Sequence, residues 1–185
     1  MNKALFLVGL MLVAFSHGFS QDKYITKNGH VSFFGQTPME TIDAKNDQAS
    51  GIIDIKTGDI VVSAMVKSFK FKIALMEEHF NENYIESTKF PKATFKGKIT
   101  NLKDINFSKP GIYKAIVEGD LTVKGKAQKT KTEGTIEVKG NQLIVKSKFK
   151  VTPEDHDITI PGVVREKISK QMDVTVDLTL DPMKP

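Results

Sequence analysis

The stretch SFKFKIALMEEHFNENYIESTKFPKATFKG, residues 68–97, contains the only change in apolar spacing along the chain, from two residues to about 3.6 and back. Apolar residues alternate with lysines over 69–73, which is typical of a strand with one buried face. Four large apolar residues then recur at helical spacing: Ile73, Met76, Phe80 and Tyr84. They predict an amphipathic helix over 73–86. Pro91 ends any helix, and alternation resumes over 93–100, so the stretch predicts a strand, a helix and a strand.

Apolar and polar residues alternate through most of the remaining chain. The predicted strands are 29–35, 49–55, 60–71, 93–100, 113–123, 130–138, 143–151 and 172–180, with turns at 56–59, 124–126 and 140–141. About eight strands with short turns indicate an all-β antiparallel barrel, wide enough for one ligand. The lone helix is then a candidate lid over the barrel mouth, and the irregular segment 153–171 forms the opposite lip.

Three details of the strands refine this expectation. Strand 60–71 is apolar on both faces, so we expect it to be covered on both sides. Glycines on inward faces, at positions 51, 97, 119 and 134, indicate sharp bends or a close backbone approach. The inward set of strand 130–138 is small and partly polar.

Composition narrows the class of protein. With 27 basic and 22 acidic residues the net charge is only +5, and the lysines are spread over nearly every strand, which disfavours a nucleic-acid-binding protein. Weak attraction to acidic lipid head groups stays open as an alternative to a merely solvated surface. The chain has no cysteine, which excludes disulfides, thiolate metal sites, cysteine nucleophiles and a lipidated cysteine.

The N-terminus reads as a targeting segment. Lys3 precedes an apolar run over 4–15 and small residues up to Ser20, which predicts a signal peptide over 1–20 and a mature domain over 21–185. The run is shorter than the roughly 20 residues that span a bilayer, so a membrane anchor is the weaker interpretation. We therefore expect a periplasmic or secreted protein.

Three motifs carry a family resemblance. They are SFKFKIALMEEHFNENYIESTKFPKATFKGKI at 68–99, GDLTVKGKAQK at 119–129 and FKVTPEDHDITIPGVVREKI at 149–168. Together they resemble the YceI-like proteins, exported lipocalin-like bacterial barrels known as polyisoprenoid-binding or lipid-binding proteins. The resemblance covers about 24–180. His156 and Asp157 depart from the family, which commonly has an aromatic residue and then a glycine there.

The resemblance implies a non-catalytic protein that binds, stores or transports a long-chain amphiphile such as an isoprenoid quinone, a polyprenyl phosphate or a fatty-acid-like lipid, without another cofactor. It also implies transient contact with a membrane surface. Barrels of this kind can pair as homodimers, although no stretch here identifies an interface. The alternative is a closed barrel whose interior is filled by side chains and which acts through surface protein interactions in an envelope stress response.

The candidate ligand-binding residues combine the aromatic stretch, the inward helix stripe and the opposite lip. They are Phe69, Phe71, Leu75, Met76, His79, Phe80, Tyr84, Phe90, Phe95, Ile158, Ile160 and Val164. From the residues alone, the same aromatics also fit an ordinary core. No metal site is expected, because the histidines lack ligand spacing, and no nucleophile or phosphate-loop motif indicates catalysis. Lysines 124, 126, 129 and 131 either bind a phosphate head group or form the solvent-exposed edge of a hairpin.

Overall fold

The alternation of apolar and polar residues produces nine strands in the computed structural model, which describes residues 22–184. They are β1 Lys23–Gln36, β2 Thr41–Asp54, β3 Asp59–Met65, β4 Lys70–Phe71, β5 Lys92–Ile99, β6 Gly111–Val123, β7 Lys126–Lys139, β8 Gln142–Val151 and β9 Met172–Pro182. Helix α1, Ala74–His79, continues into a π-helical turn, Phe80–Tyr84. The predicted signal peptide, residues 1–20, lies outside the described residues.

The strands form one closed antiparallel barrel, as the sequence predicts. Apart from β4, strands that are consecutive in the chain are neighbours in the sheet, and β1 closes the ring by pairing with both β2 and β9. The two-residue strand β4 follows β3 after a 3-10 turn, Val66–Ser68, and pairs with the start of β2. The barrel wall therefore has eight positions, with β4 serving as an extension of β3.

The two ends of the barrel differ in packing. One end is filled by a cluster of buried side chains: Ile53, Ile60, Ile99, Ile136, Leu143, Leu178 and Leu180, with smaller neighbours. The other end carries the β1–β2 turn, helix α1, the β6–β7 turn and the segment between β8 and β9. The first end is a conventional core. The second, which we call the mouth, holds the helix.

The β7–β8 ladder stops partway along the barrel. It runs from Lys139↔Gln142 to Gly134↔Ser147, after which β7 pairs with β6 alone and β8 with β9 alone. The 3-10 turn Pro153–His156 contacts β7 beside this seam, and the buried His156 ring shares a 3.0 Å hydrogen bond with the Lys126 carbonyl oxygen. This hydrogen bond and the contact with β7 hold the loop before β9 in place at the mouth of the barrel.

A glycine pair allows β5 and β6 to approach closely. Gly97 and Gly119 face each other in the register, and a Cβ on Gly119 would lie 2.3 Å from the Lys96 carbonyl oxygen. Such a separation is well below contact distance, so only glycine fits this bend without a backbone shift.

Three predictions about local structure were wrong in detail. Strand β2 begins at Thr41, eight residues before the predicted start, because the inward residues Ala44 and Asn46 are small or polar and weaken the alternation. The predicted strand 60–71 is broken by the turn Val66–Ser68, and its outer face is exposed at Val61 and Met65 rather than covered. The regular α-helix is six residues long, and the π-helical turn completes the segment.

Candidate functional site

A cavity of about 560 Å³ occupies the mouth half of the barrel. Its walls are the inner faces of the strands, and its cover consists of α1, the π-helical turn and the loop before β9. Two of its lining residues on the helix side, Ile73 and Leu75, are 48% and 56% exposed to solvent. The cavity therefore reaches the surface beside the helix.

Four phenylalanines hold the helical segment against the barrel. Phe80, from the π-helical turn, lies with its ring centroid 5.3 Å from Phe33, 6.0 Å from Phe69 and 5.1 Å from Phe71. These are the tilted and edge-on geometries that aromatic pairs prefer. The helical spacing of the apolar stripe explains the placement, because Phe80 and Met76 project from the same side of the segment onto the cavity.

An ion pair fixes the first turn of α1 to β4. Lys70 Nζ lies 2.6 Å from Glu77 Oε1, and the Phe71 backbone N–H donates to Glu77 Oε2 at 3.3 Å. The hydrogen bond from Lys70, together with the Phe71 N–H and the lysine charge, holds the pKa of Glu77 below its ordinary value of 4.5 despite the opposing effect of desolvation. The carboxylate therefore ties the helix to the strand that precedes it.

The loop before β9 forms the opposite lip. Ile158 is buried and packs with Val66 and Ile85, while Tyr84 and Ile160 lie against the same group. Asp157 adopts a left-handed backbone conformation with φ of 56°, which glycine adopts more readily than other residues. Glu154 pairs with Arg165 across the lip. The two lips meet through apolar contacts between the loop and the helical segment.

A family model described as the YceI-like domain matches residues 23–180. The chain belongs to the YceI-like family. The match spans all nine strands, the helix and the mouth loop, apart from the last residues of β9.

Solved structures resemble this YceI-like barrel in fold. A polyisoprenoid binding domain from Saccharophagus degradans, implicated in plant cell wall breakdown, has a TM-score of 0.76 at 13% identity, covering 88% of this chain and 99% of its own. Burkholderia cenocepacia BcnA gives 0.67 at 16% identity, covering 82% and 95%. The Campylobacter jejuni YceI protein gives 0.63 at 11% identity, covering 81% and 90%. The curated proteins include none that matches this sequence.

Eleven of the twelve candidate residues line the cavity of this YceI-like barrel, and Phe90 does not. The eleven are Phe69, Phe71, Leu75, Met76, His79, Phe80, Tyr84, Phe95, Ile158, Ile160 and Val164. The placement of Phe90 in the lining was wrong: its ring lies against Gly125, with Lys89 Nζ 5.1 Å from the ring centroid. That the eleven bind a ligand stays a prediction.

The sequence analysis left most of the far wall unnamed. Strands β6, β8 and β9 contribute apolar lining residues, among them Val117, Leu121, Val145, Val174 and Val176. Alternation identified these side chains as inward, but it does not distinguish a filled interior from an open one. The small and polar inward set of β7 was the signal available, since such residues leave space in a barrel of this size.

Ion pairs account for the four lysines that were candidates for a head-group site. Lysines 124, 126, 129 and 131 pair with Glu86, Asp157, Asp120 and Glu118 at 2.9, 3.5, 2.9 and 2.7 Å, which favours the interpretation as a hairpin edge. His79 lines the cavity at the mouth, whereas His30 contacts Asp47 on the surface. Within residues 22–184 no group of three His, Cys, Asp or Glu side chains is placed to hold a metal ion.

Among the described residues, no helix combines the length and apolar character needed to cross a membrane.

Proposed function

We propose that this YceI-like protein binds a long-chain lipid, such as an isoprenoid, with its tail in the barrel cavity, and acts as a carrier or store without catalysis. The observation that carries the proposal is the apolar cavity at the mouth, open beside the helix. The family membership supports the proposal, as does the description of the Saccharophagus degradans structure as a polyisoprenoid binding domain.

The cavity volume suits a lipid tail. At about 560 Å³ it falls within the roughly 300–1,000 Å³ typical of ligand pockets. A buried apolar cavity of about 150 Å³ accommodates one benzene, so by proportion this cavity holds roughly 20 carbon atoms, or about four isoprene units. Each unit removed from water contributes about 4 kcal/mol, at about 0.8 kcal/mol per methylene. Tail burial alone therefore supplies enough free energy for tight binding, after the cost of association.

The helical segment and the loop before β9 act as the movable cover in this proposal. Both lie on the surface of the barrel rather than within its hydrogen-bonded wall, so the cover opens without breaking a strand ladder. The contacts that close it are the phenylalanine cluster and the apolar group around Ile158. Opening exposes the cavity, and closing removes the tail from water.

We place the protein outside the cytoplasm, as the N-terminal signal sequence predicts, with transient contact to a membrane when lipid enters or leaves. Exposed apolar side chains at the mouth support this contact: Val163 is 92% exposed beside the lining residue Val164. The alternative, a barrel that works only through its surface, requires an interior filled by side chains. A cavity of this volume argues against that interior.

Native mass spectrometry of the exported protein, followed by organic extraction, tests the proposal. We expect one long-chain lipid per chain. A second test replaces Met76 and Phe80 together with aspartate, with Phe90→Asp as the matched control outside the cavity. Lipid should be lost in the first variant and retained in the control. The proposal would be contradicted if the wild-type protein contained no lipid and did not bind added isoprenoid. It would also be contradicted if the double variant folded and still bound its lipid.

A further inference from the structure

The deep part of the cavity carries two hydroxyl groups in a mostly apolar wall. Thr132 lies on β7 and Ser147 on β8, and both line the cavity. Ser147 is two residues from Val145 on the same inner face, and Val145 belongs to the packed end of the barrel. The hydroxyls therefore lie near the cavity floor, at the point where the β7–β8 ladder stops.

These hydroxyls have unused hydrogen-bonding capacity. Thr132 Oγ1 and Ser147 Oγ lie 2.9 Å apart, and each is within reach of the Glu133 carbonyl oxygen, at 3.2 and 3.0 Å. Each hydroxyl has one proton and two lone pairs. When Ser147 donates to that carbonyl, the 2.9 Å bond between the hydroxyls is donated by Thr132 Oγ1 to Ser147 Oγ. Both protons are then used, and the lone pairs of Thr132 remain free to accept a hydrogen bond from a group in the cavity.

The positions of the charged lining residues indicate whether a ligand group beside the two hydroxyls is charged or neutral. The charged or ionisable lining residues are Glu40, His79, Tyr84 and Lys167, and all four come from segments at the mouth. Among the described residues, no cation lines the cavity beside the hydroxyl pair. A phosphate or carboxylate at this depth would lose its hydration without a compensating charge, which is strongly unfavourable. A neutral hydroxyl loses far less hydration and gains a hydrogen bond by donating to the pair.

We infer that Thr132 and Ser147 form a subsite for an uncharged hydroxyl group of the lipid, which donates to the Thr132 hydroxyl deep in the barrel while the tail is directed toward the mouth. This inference rests on the proposed function and narrows the ligand to neutral amphiphiles. Tails longer than the cavity would then emerge beside the helix, where the exposed lining residues Ile73 and Leu75 lie.

Three probes with one tail test the subsite: dodecane, 1-dodecanol and dodecanoate, measured by displacement of a fluorescent lipid from the full folded protein. Thr132→Val keeps the side-chain shape and replaces the hydroxyl by a methyl group. We expect affinity for dodecanol to fall about 3- to 10-fold, the usual effect of one net hydrogen bond. Affinity for dodecane and dodecanoate should stay within a factor of two. Ser147→Ala is the second variant, with the same expected pattern.

Thr135→Val is the matched control. Thr135 lies on the same strand, β7, but its side chain is exposed on the outer face and does not line the cavity. Its replacement should leave all three affinities unchanged. Equal affinity of wild type and Thr132→Val for dodecanol, or an equal loss for dodecane or dodecanoate, overturns the subsite while the proposed function stands. A wild type that binds none of the probes overturns both.

Discussion

Truncation of Phe80 to alanine should release the cover of the cavity without unfolding the barrel. The Phe80 ring makes three of the five ring contacts in the phenylalanine cluster, to Phe33, Phe69 and Phe71. At about 0.5–1.5 kcal/mol for each aromatic pair, the change removes roughly 2–4 kcal/mol of attraction between the helical segment and the barrel. The strand ladders are untouched, because Phe80 lies outside them.

Hydrogen exchange of the backbone amides in 74–85 measures this loss directly. A local opening that becomes about 2–3 kcal/mol easier should speed exchange of these amides roughly 30- to 150-fold, since 1.4 kcal/mol corresponds to a factor of ten. Amides in β6 and β9 should exchange at nearly the wild-type rate. Release of a bound lipid should accelerate with the helix amides.

Phe90→Ala provides the matched control for this experiment. Phe90 follows the helical segment and is also half-buried, but its ring lies against Gly125, away from the cluster. Its truncation should leave exchange in 74–85 unchanged. If the helix amides of Phe80→Ala exchanged at the wild-type rate, or if exchange rose equally throughout the barrel, the cluster would not be what holds the cover.

Three further predictions follow from the wall, the ion pair and the cavity. Gly119→Ala should lower the free energy of unfolding by about 1–3 kcal/mol, because the new Cβ would clash with the Lys96 carbonyl oxygen. The loss should appear as a lower midpoint of urea unfolding. The control Gly162→Ala should leave the midpoint unchanged, because a Cβ there has open space around it. The ionised Glu77 carboxylate, whose pKa is lowered in the folded protein, stabilises docking of the helix above pH 4.5. This contribution should be lost as the pH falls through the lowered pKa, and hydrogen exchange of the helix amides should then become faster. Glu77→Gln should abolish this pH dependence. Measured in water, affinity should rise with tail length and level off near roughly 20 carbons, and a continued rise beyond that length would contradict the cavity volume.

Residue alternation predicted the strands where inward side chains are large and outward ones are charged. Strand β6, with Tyr113, Val117 and Leu121 inward, is the clearest example. The same reasoning missed the first half of β2, whose inward residues include Ala44 and Asn46. Ala44 is small because it lies against Phe69 and its neighbours, and buried Asn46 donates to the Met65 carbonyl. Those reasons are tertiary, so no local pattern reveals them.

The site was predictable in outline for a related reason. An apolar stripe on a lone helix in an all-strand chain must pack against other apolar surface. In a barrel, the uncovered apolar surface lies at the mouth. The position of Phe90 was not predictable, because periodicity does not say where the chain leaves the cavity after the helix. The depth of Thr132 and Ser147 was not predictable either, since it depends on where the β7–β8 ladder ends.

The apolar cavity and the hydroxyl pair have separate consequences for a lipid carrier. A tail in a bilayer is already out of water, so its transfer into an apolar cavity changes its free energy little. The large contribution of tail burial then prevents loss of the lipid into water but does not draw it out of a membrane. Selection among lipids with similar tails must come from polar contacts, where an unpaired or charged group is strongly disfavoured. Under the proposed function, the deep Thr132–Ser147 pair is where that selection acts, while the length of the tail governs how securely the ligand is retained.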